Sequence, residues 1–229
     1  MKRNREIRAA ALEALKDRWG WAILVCIIYS AIVACAELPQ IAGNMSKAAG
    51  VSSMYMSPSI VGAACALTFL TSGLLLFGAA PLGVGFNNAF VRYNKKEGDD
   101  NKIIGNMFGL GFGGGRYWHN FLGMLLVGVF TFLWSLLFII PGIIKAYAYS
   151  MTSYILIDNP ELGPNEARLK SIEMMRGYKG KLFGLDLSFI GWHLLCILSL
   201  GIGYIWLMPY ITSARAAFYQ ELVEARKNG

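Results

Sequence analysis

The sequence predicts an all-α protein: a polytopic transmembrane bundle of about six spans in three hairpins, preceded by an amphipathic interfacial helix. Residues 121–140 carry no charged side chain, and about 20 apolar residues suffice for a helix to cross a bilayer core. Pro141-Gly142 follows directly and is typical of a tight turn, because proline lacks an N–H and glycine tolerates a left-handed backbone. Further apolar runs alternate with cationic segments along the chain.

The composition favours a membrane protein over a soluble one. Hydrophobic residues make up 55% of the chain and charged residues 15%, whereas soluble domains average about 25% charged residues. The formal net charge of +7 lies almost wholly between the apolar runs, as the positive-inside rule describes. Anionic lipid headgroups at the cytoplasmic face are therefore the expected partner. Nucleic acid is not an expected partner, because no basic stripe is interleaved with aromatic side chains.

The first 18 residues have the pattern of an amphipathic helix. Ile7, Ala11 and Leu15 recur every four residues, and most of the basic side chains lie elsewhere on the helical wheel. We expect this helix to lie on the cytoplasmic headgroups, with its apolar face toward lipid.

The remaining apolar runs predict the spans of one integral membrane domain covering residues 1–229. Basic residues near the span ends predict that both termini are cytoplasmic. The expected spans are residues 21–36, 60–91, 121–140, 143–157, 182–200 and 204–218.

Prolines and glycines predict where these spans bend or turn. Pro81 and Pro209 lie inside apolar runs, where proline kinks a helix. Pro141-Gly142 and Gly201-Ile202-Gly203 are expected to form the tips of two hairpins, either as full crossings or as re-entrant loops.

One alternative concerns the first span. Ile32-Val33-Ala34-Cys35 resembles a lipoprotein cleavage box, and cleavage there would remove the span from the mature protein. We favour a retained span, because the charged leader is unusually long and the later spans need a first one to set their orientation.

Three charged residues inside the spans are the candidate site residues. Asp186 and Arg215 lie at similar depth on the fifth and sixth spans, so we expect an ion pair that fixes one helix against the other. Lys145 follows the Pro141 tip and is a candidate for binding an anionic ligand or a lipid headgroup.

No catalytic, metal or cofactor site is predicted. His119 and His193 are isolated from each other and belong to no metal-ligand motif. Residues 109–114 contain a literal G-x-G-x-x-G, but no strand precedes it, so we interpret it as a flexible loop rather than a dinucleotide site.

The second half of the chain carries a family resemblance. Residues 133–151, which include Trp134, Pro141, Lys145 and Tyr149, resemble the signature of a bacterial multi-pass integral membrane family catalogued as domain of unknown function 975; residues 182–192 resemble it too. The resemblance implies a helical protein of the bacterial cytoplasmic membrane. It implies no activity, substrate or catalytic residue.

Three functions remain open at this stage. The first is a non-enzymatic membrane accessory or scaffold protein that contacts lipid, alone or with a second copy or another membrane protein. The second is a small transporter or channel subunit with kinked helices along a path. The third is a membrane-embedded lipid-modifying enzyme, which would need Asp186, His193 and a third polar group around one cleft.

Overall fold

The computed structural model describes residues 2–48, 58–95, 102–113, 115–137 and 139–227, and over these residues the chain is helical and contains no strand. The all-α class is therefore confirmed. The helices are α1 (Asn4–Leu15), α2 (Trp19–Ala48), α3 (Pro58–Lys95), α4 (Ile103–Phe112), α5 (Tyr117–Leu137), α6 (Ile139–Tyr149), α7 (Thr152–Asp158), α8 (Pro164–Met174), α9 (Lys179–Leu187), α10 (Ile190–Leu198) and α11 (Tyr204–Lys227).

The amphipathic first helix packs on protein rather than on headgroups. Its apolar face, Ile7, Ala11 and Leu15, is fully buried, and α1 lies against α11 after a bend of 97° from the start of α2. The hydroxyl of Ser213 donates to the Ala11 carbonyl at 3.3 Å, so small residues on α11 let the two helices approach closely. The helix is as expected, but the prediction that its apolar face meets lipid is wrong.

The glycine-rich segment before α5 is largely helical rather than a loop. Residues 103–112 form α4, which packs along α3. A Cβ atom at Gly111 would lie 2.9 Å from the Pro81 carbonyl oxygen, and one at Gly85 would overlap the Met107 carbonyl. These glycines allow close helix contact, and the loop interpretation of the G-x-G-x-x-G is therefore wrong over residues 109–112.

The α5–α6 hairpin turns earlier than the sequence indicated. α5 ends at Leu137 and α6 begins at Ile139, which places Pro141 and Gly142 in the first turn of α6. Proline is tolerated there, because the first N–H groups of a helix have no partner within it. Gly142 is required by contact, since a Cβ atom would overlap Ser135 of α5. The tip therefore precedes Pro141-Gly142.

The expected return span 143–157 is broken. α6 stops at Tyr149 and α7 starts at Thr152, and all residues from Thr152 to Leu156 are buried. Asn87 of α3 donates to the Ser153 hydroxyl at 3.0 Å, and Lys95 of α3 lies 3.8 Å from Asp158. α7 is thus part of the protein core and not a lipid-facing half of a span.

The fifth span is also divided, into α9 and α10, and its tip with α11 has a Schellman cap. The Gly201 N–H donates to the Cys196 carbonyl at 2.8 Å, and the Leu200 N–H donates to the Ile197 carbonyl at 3.0 Å. Leu200 has a φ of +54° and Gly201 a φ of +89°. Gly203 is held close to Ser199, whose hydroxyl accepts its N–H at 3.0 Å.

Six crossings are not confirmed. By length and composition, residues 117–136 and 179–198 could each cross a membrane, and the bent pair of α1 and residues 19–34 could be a third crossing. The expected span 60–91 falls on α3, which contains Pro81, but most side chains of residues 58–76 lie outside the described residues. The Cys35 side chain lies outside them too. Pro209 lies inside α11, as expected.

Candidate functional site

The two charges predicted to pair are brought together between α9 and α11. Arg215 of α11 donates through Nε to Asp186 Oδ1 at 3.2 Å and through Nη2 to Oδ2 at 3.0 Å. The Asp186 side chain is 19% exposed and that of Arg215 is 49% exposed. A two-point contact of this kind fixes both position and orientation of the planar guanidinium.

A third side chain, Tyr147 of α6, completes the cluster. Its hydroxyl donates to Asp186 Oδ2 at 3.0 Å. The Asp186 carboxylate therefore accepts three hydrogen bonds, and it links α6, α9 and α11. The sequence offered no signal for this role, because a tyrosine in an apolar run is equally typical of packing.

The break between α6 and α7 lies beside this cluster, and hydroxyl groups satisfy the carbonyls there. Ser150 donates to the Tyr147 carbonyl, Ser171 to that of Ala148 and Thr152 to that of Tyr149, each at 2.8 Å. Carbonyls at a helix end lack partners within the helix, so these three side chains take that place. The break is thus a satisfied structure at a buried position.

The break between α9 and α10 follows Asp186 closely in the chain. The Ser188 hydroxyl donates to the Leu185 carbonyl at 2.6 Å. Arg8 of α1 donates to the Ser188 carbonyl at 3.3 Å, and its guanidinium carbon lies 5.9 Å from the centre of the Phe189 ring. The leader helix is thereby tied to the same region as the ion pair.

Two cavities meet at Arg215. The larger, of roughly 680 Å³, has a mostly apolar lining drawn from α2, α3, α5, α7, α9 and α11. Phe86, Met124 and Met151 belong to its apolar wall, and Asn87 adds an amide. The smaller, of roughly 210 Å³, is lined by the Tyr147–Asp186–Arg215 cluster and by neighbouring residues. Volumes of about 300–1,000 Å³ are typical of small-molecule sites.

The other candidate residues lie elsewhere. The Lys145 ammonium sits 4.5 Å from the centre of the Trp134 ring, so its charge is held by a cation–π contact between α6 and α5. His193 Nδ1 lies 3.3 Å from the Tyr204 hydroxyl. The enzyme hypothesis requires a cleft in which His193 lies beside Asp186. The polar contact that His193 makes is with Tyr204 of α11.

One buried cation was not anticipated from the sequence. Arg168 of α8 is 8% exposed, and its guanidinium carbon lies 4.1 Å from the Phe130 ring centre and 5.5 Å from that of Tyr149. Asn165 accepts from it at 2.7 and 3.1 Å. No sequence pattern indicated this burial, and only the packing of α8 on α5 shows it.

Comparison with known proteins gives one match. The family described as protein of unknown function (DUF975) matches residues 136–226, which contain Asp186, Arg215 and both helix breaks. Neither the curated proteins nor the solved structures contain a significant match to this chain. Residues 136–226 are therefore similar to DUF975, the family of unknown function that the sequence resemblance indicated.

Proposed function

We propose that this is a non-enzymatic accessory or scaffold protein of the bacterial cytoplasmic membrane that contacts lipid through two apolar hairpin tips. The observation that carries the proposal is the exposure of large apolar side chains at these tips. At the α5–α6 tip Leu136 is 73% exposed and Ile140 is 72% exposed, and at the α10–α11 tip Leu200 is 94% exposed. Contiguous exposed apolar surface marks a membrane or partner contact.

The backbone at Leu200 supports lipid rather than water around the α10–α11 tip. Leu200 occupies the left-handed position of a Schellman cap, where glycine is the usual residue. A leucine there is strained by roughly 1–2 kcal/mol. Burial of a leucine side chain in hydrocarbon is worth about 1.5–3 kcal/mol, which offsets the strain only if the tip is immersed.

Contacts among the expected cytoplasmic segments support a single cytoplasmic face. Lys2 pairs with Glu221, which favours both ends of the chain on one side of the membrane with an even number of complete crossings between them. Tyr219 donates to Asp158 at 2.9 Å, and Asp158 also meets Lys95. Exposed cations on this face, such as Arg5, would attract anionic headgroups.

Depth-dependent fluorescence quenching tests the proposal. Two single-tryptophan proteins, one keeping Trp206 near the α10–α11 tip and one keeping Trp19 near the leader, are reconstituted in vesicles containing lipids brominated along the acyl chain. We expect strong quenching of Trp206 and weak quenching of Trp19, because bromine quenches by contact. Equal, weak quenching of both, with protein that fails to float with the vesicles, would contradict the proposal.

The transporter or channel alternative is favoured by one specific observation. The Ser150–Met151 break lines the larger cavity beside Arg215, and discontinuous helices at a cavity are typical of transporter binding sites. Its test is solute flux into vesicles that contain the purified chain. Flux that is abolished by filling the cavity at Ala80 would favour this alternative over the scaffold.

A further inference from the structure

The ion pair leaves hydrogen-bond donors, not acceptors, facing the cavities. A guanidinium has five N–H groups, and Arg215 uses two of them on Asp186. Within the described parts of the chain, its remaining three N–H groups have no protein acceptor. Asp186 already accepts from Arg215 twice and from Tyr147 once. A ligand at this point would therefore have to supply acceptor oxygens.

Asp186 and Tyr147 also determine which edge of Arg215 is free. Because Nε and Nη2 are held by the carboxylate, Nη1 is the nitrogen left without a partner. Arg215 lines both cavities, so a ligand in the larger one would meet this side chain, and Nη1 carries donors that the carboxylate leaves unused. A planar guanidinium with two free donors suits a carboxylate or a phosphate better than a single-oxygen group.

The rest of the larger cavity suits a hydrocarbon chain. Met124 of α5, Met151 at the α6–α7 break and Met208 of α11 line it with flexible apolar side chains, and Phe86 adds an aromatic wall. A free inorganic anion would leave most of this volume and apolar surface unfilled. The combination of one fixed cation and an apolar chamber is complementary to an amphiphile.

We propose that the larger cavity binds one single-chain anionic amphiphile, with its carboxylate or phosphate on the free edge of Arg215 and its chain against the methionine-lined wall. The inference rests on the proposed function in one respect, since the surrounding lipid supplies the amphiphile. Asp186 is a positioning residue that keeps the empty site neutral and orients the guanidinium.

Native mass spectrometry of the full chain in non-ionic detergent tests this proposal with three matched probes. Hexadecyl phosphate has both chain and charge, hexadecanol has the chain alone, and inorganic phosphate has the charge alone. We expect one bound hexadecyl phosphate per chain and at least about tenfold weaker binding of each of the other two probes, because a charge-assisted contact or a buried chain is then lost.

Variants locate the bound molecule. Arg215→Gln should weaken hexadecyl phosphate binding by about ten- to a hundredfold, and Ala80→Phe should do the same by filling the cavity while leaving the ion pair intact. Arg116→Gln, which removes an exposed cation at the start of α5, should leave binding unchanged. If Arg215→Gln does not fold, Ala80→Phe decides the question.

Several results would overturn the proposal. Unchanged binding in Ala80→Phe, equal binding of hexadecanol, or loss of binding in Lys145→Gln but not in Arg215→Gln would each do so. A chain that shows the expected Trp206 quenching yet binds no hexadecyl phosphate refutes this inference alone. A chain that binds the probe but does not enter vesicles refutes the proposed function alone.

Discussion

Replacement of Ser171 by alanine tests whether the α6–α7 break depends on hydroxyl groups from elsewhere in the chain. Ser171 is fully buried on α8, and its hydroxyl donates at 2.8 Å to the carbonyl of Ala148, 23 residues earlier. Alanine differs by one oxygen atom, so the change leaves almost no cavity. It leaves a buried carbonyl without a donor, which costs about 1–3 kcal/mol.

The expected result is a lower unfolding temperature. For a chain of this length, about 2 kcal/mol corresponds to roughly 4–8 °C. Cys26 and Cys196 are free and buried, so in a chain with Cys35 and Cys65 replaced by serine a thiol-reactive fluorogenic maleimide reports unfolding as they become exposed. The assay is run on the purified chain in mild detergent, with temperature as the variable.

The matched control is Ser150→Ala. Ser150 is only half-buried and bonds the Tyr147 carbonyl three residues before it, so water can replace its hydroxyl at a cost below about 1 kcal/mol. A Ser171→Ala protein as stable as the original, or one more stable than Ser150→Ala, would refute the view that tertiary hydroxyl donors support the break.

Three further predictions concern the ion pair, the tip and the leader. Asp186→Asn or Arg215→Gln should each destabilise the protein by about 1–2 kcal/mol in the same assay. This figure is lower than for a fully buried pair, because the Arg215 side chain is half exposed. The exchanged pair D186R/R215D should recover most of the lost stability. Leu200→Gly should raise stability in detergent by about 1 kcal/mol through relief of the positive φ, yet weaken flotation with vesicles; a lower stability would contradict the strain argument. Burial raises the pKa of the Glu221 carboxyl, but hydrogen bonds from Lys2 outweigh burial and lower that pKa below its usual value. The contribution of the Lys2–Glu221 pair to the free energy of unfolding is therefore complete above about pH 4.5, and it is lost as the pH falls through the lowered pKa. Chemical denaturation from pH 3 to 7 should show this loss in the original chain and not in Glu221→Gln, and parallel curves would refute it.

The sequence predicted the helices well where one periodic pattern sufficed. Ile7, Ala11 and Leu15 specify an amphipathic helix, and they are the face of α1 that is buried. An apolar stripe predicts that a face is covered but carries no information on what covers it. Lipid and α11 satisfy it equally, and only the tertiary packing showed that α11 does.

The break between α6 and α7 could not be predicted from a local sequence pattern. Residues 143–157 contain no proline or glycine that would indicate a helix break at Ser150–Met151. The donor that satisfies the Ala148 carbonyl comes from Ser171 on another helix. A break of this kind is stable only when distant side chains replace the lost backbone bonds. Local propensity therefore could not reveal it, and the expected single span became α6 and α7.

The sequence alone determined that apolar helices alternate with cationic segments, and that Lys145, Asp186 and Arg215 are the charges within them, because the cost of a charge in an apolar run is a local property. The tertiary structure decided the partners: Tyr147 on the carboxylate, Arg168 between two aromatic rings, and a cavity beside the ion pair. Contacts between residues far apart in the chain depend on how the helices pack, and that packing is set by the whole fold rather than by any one segment.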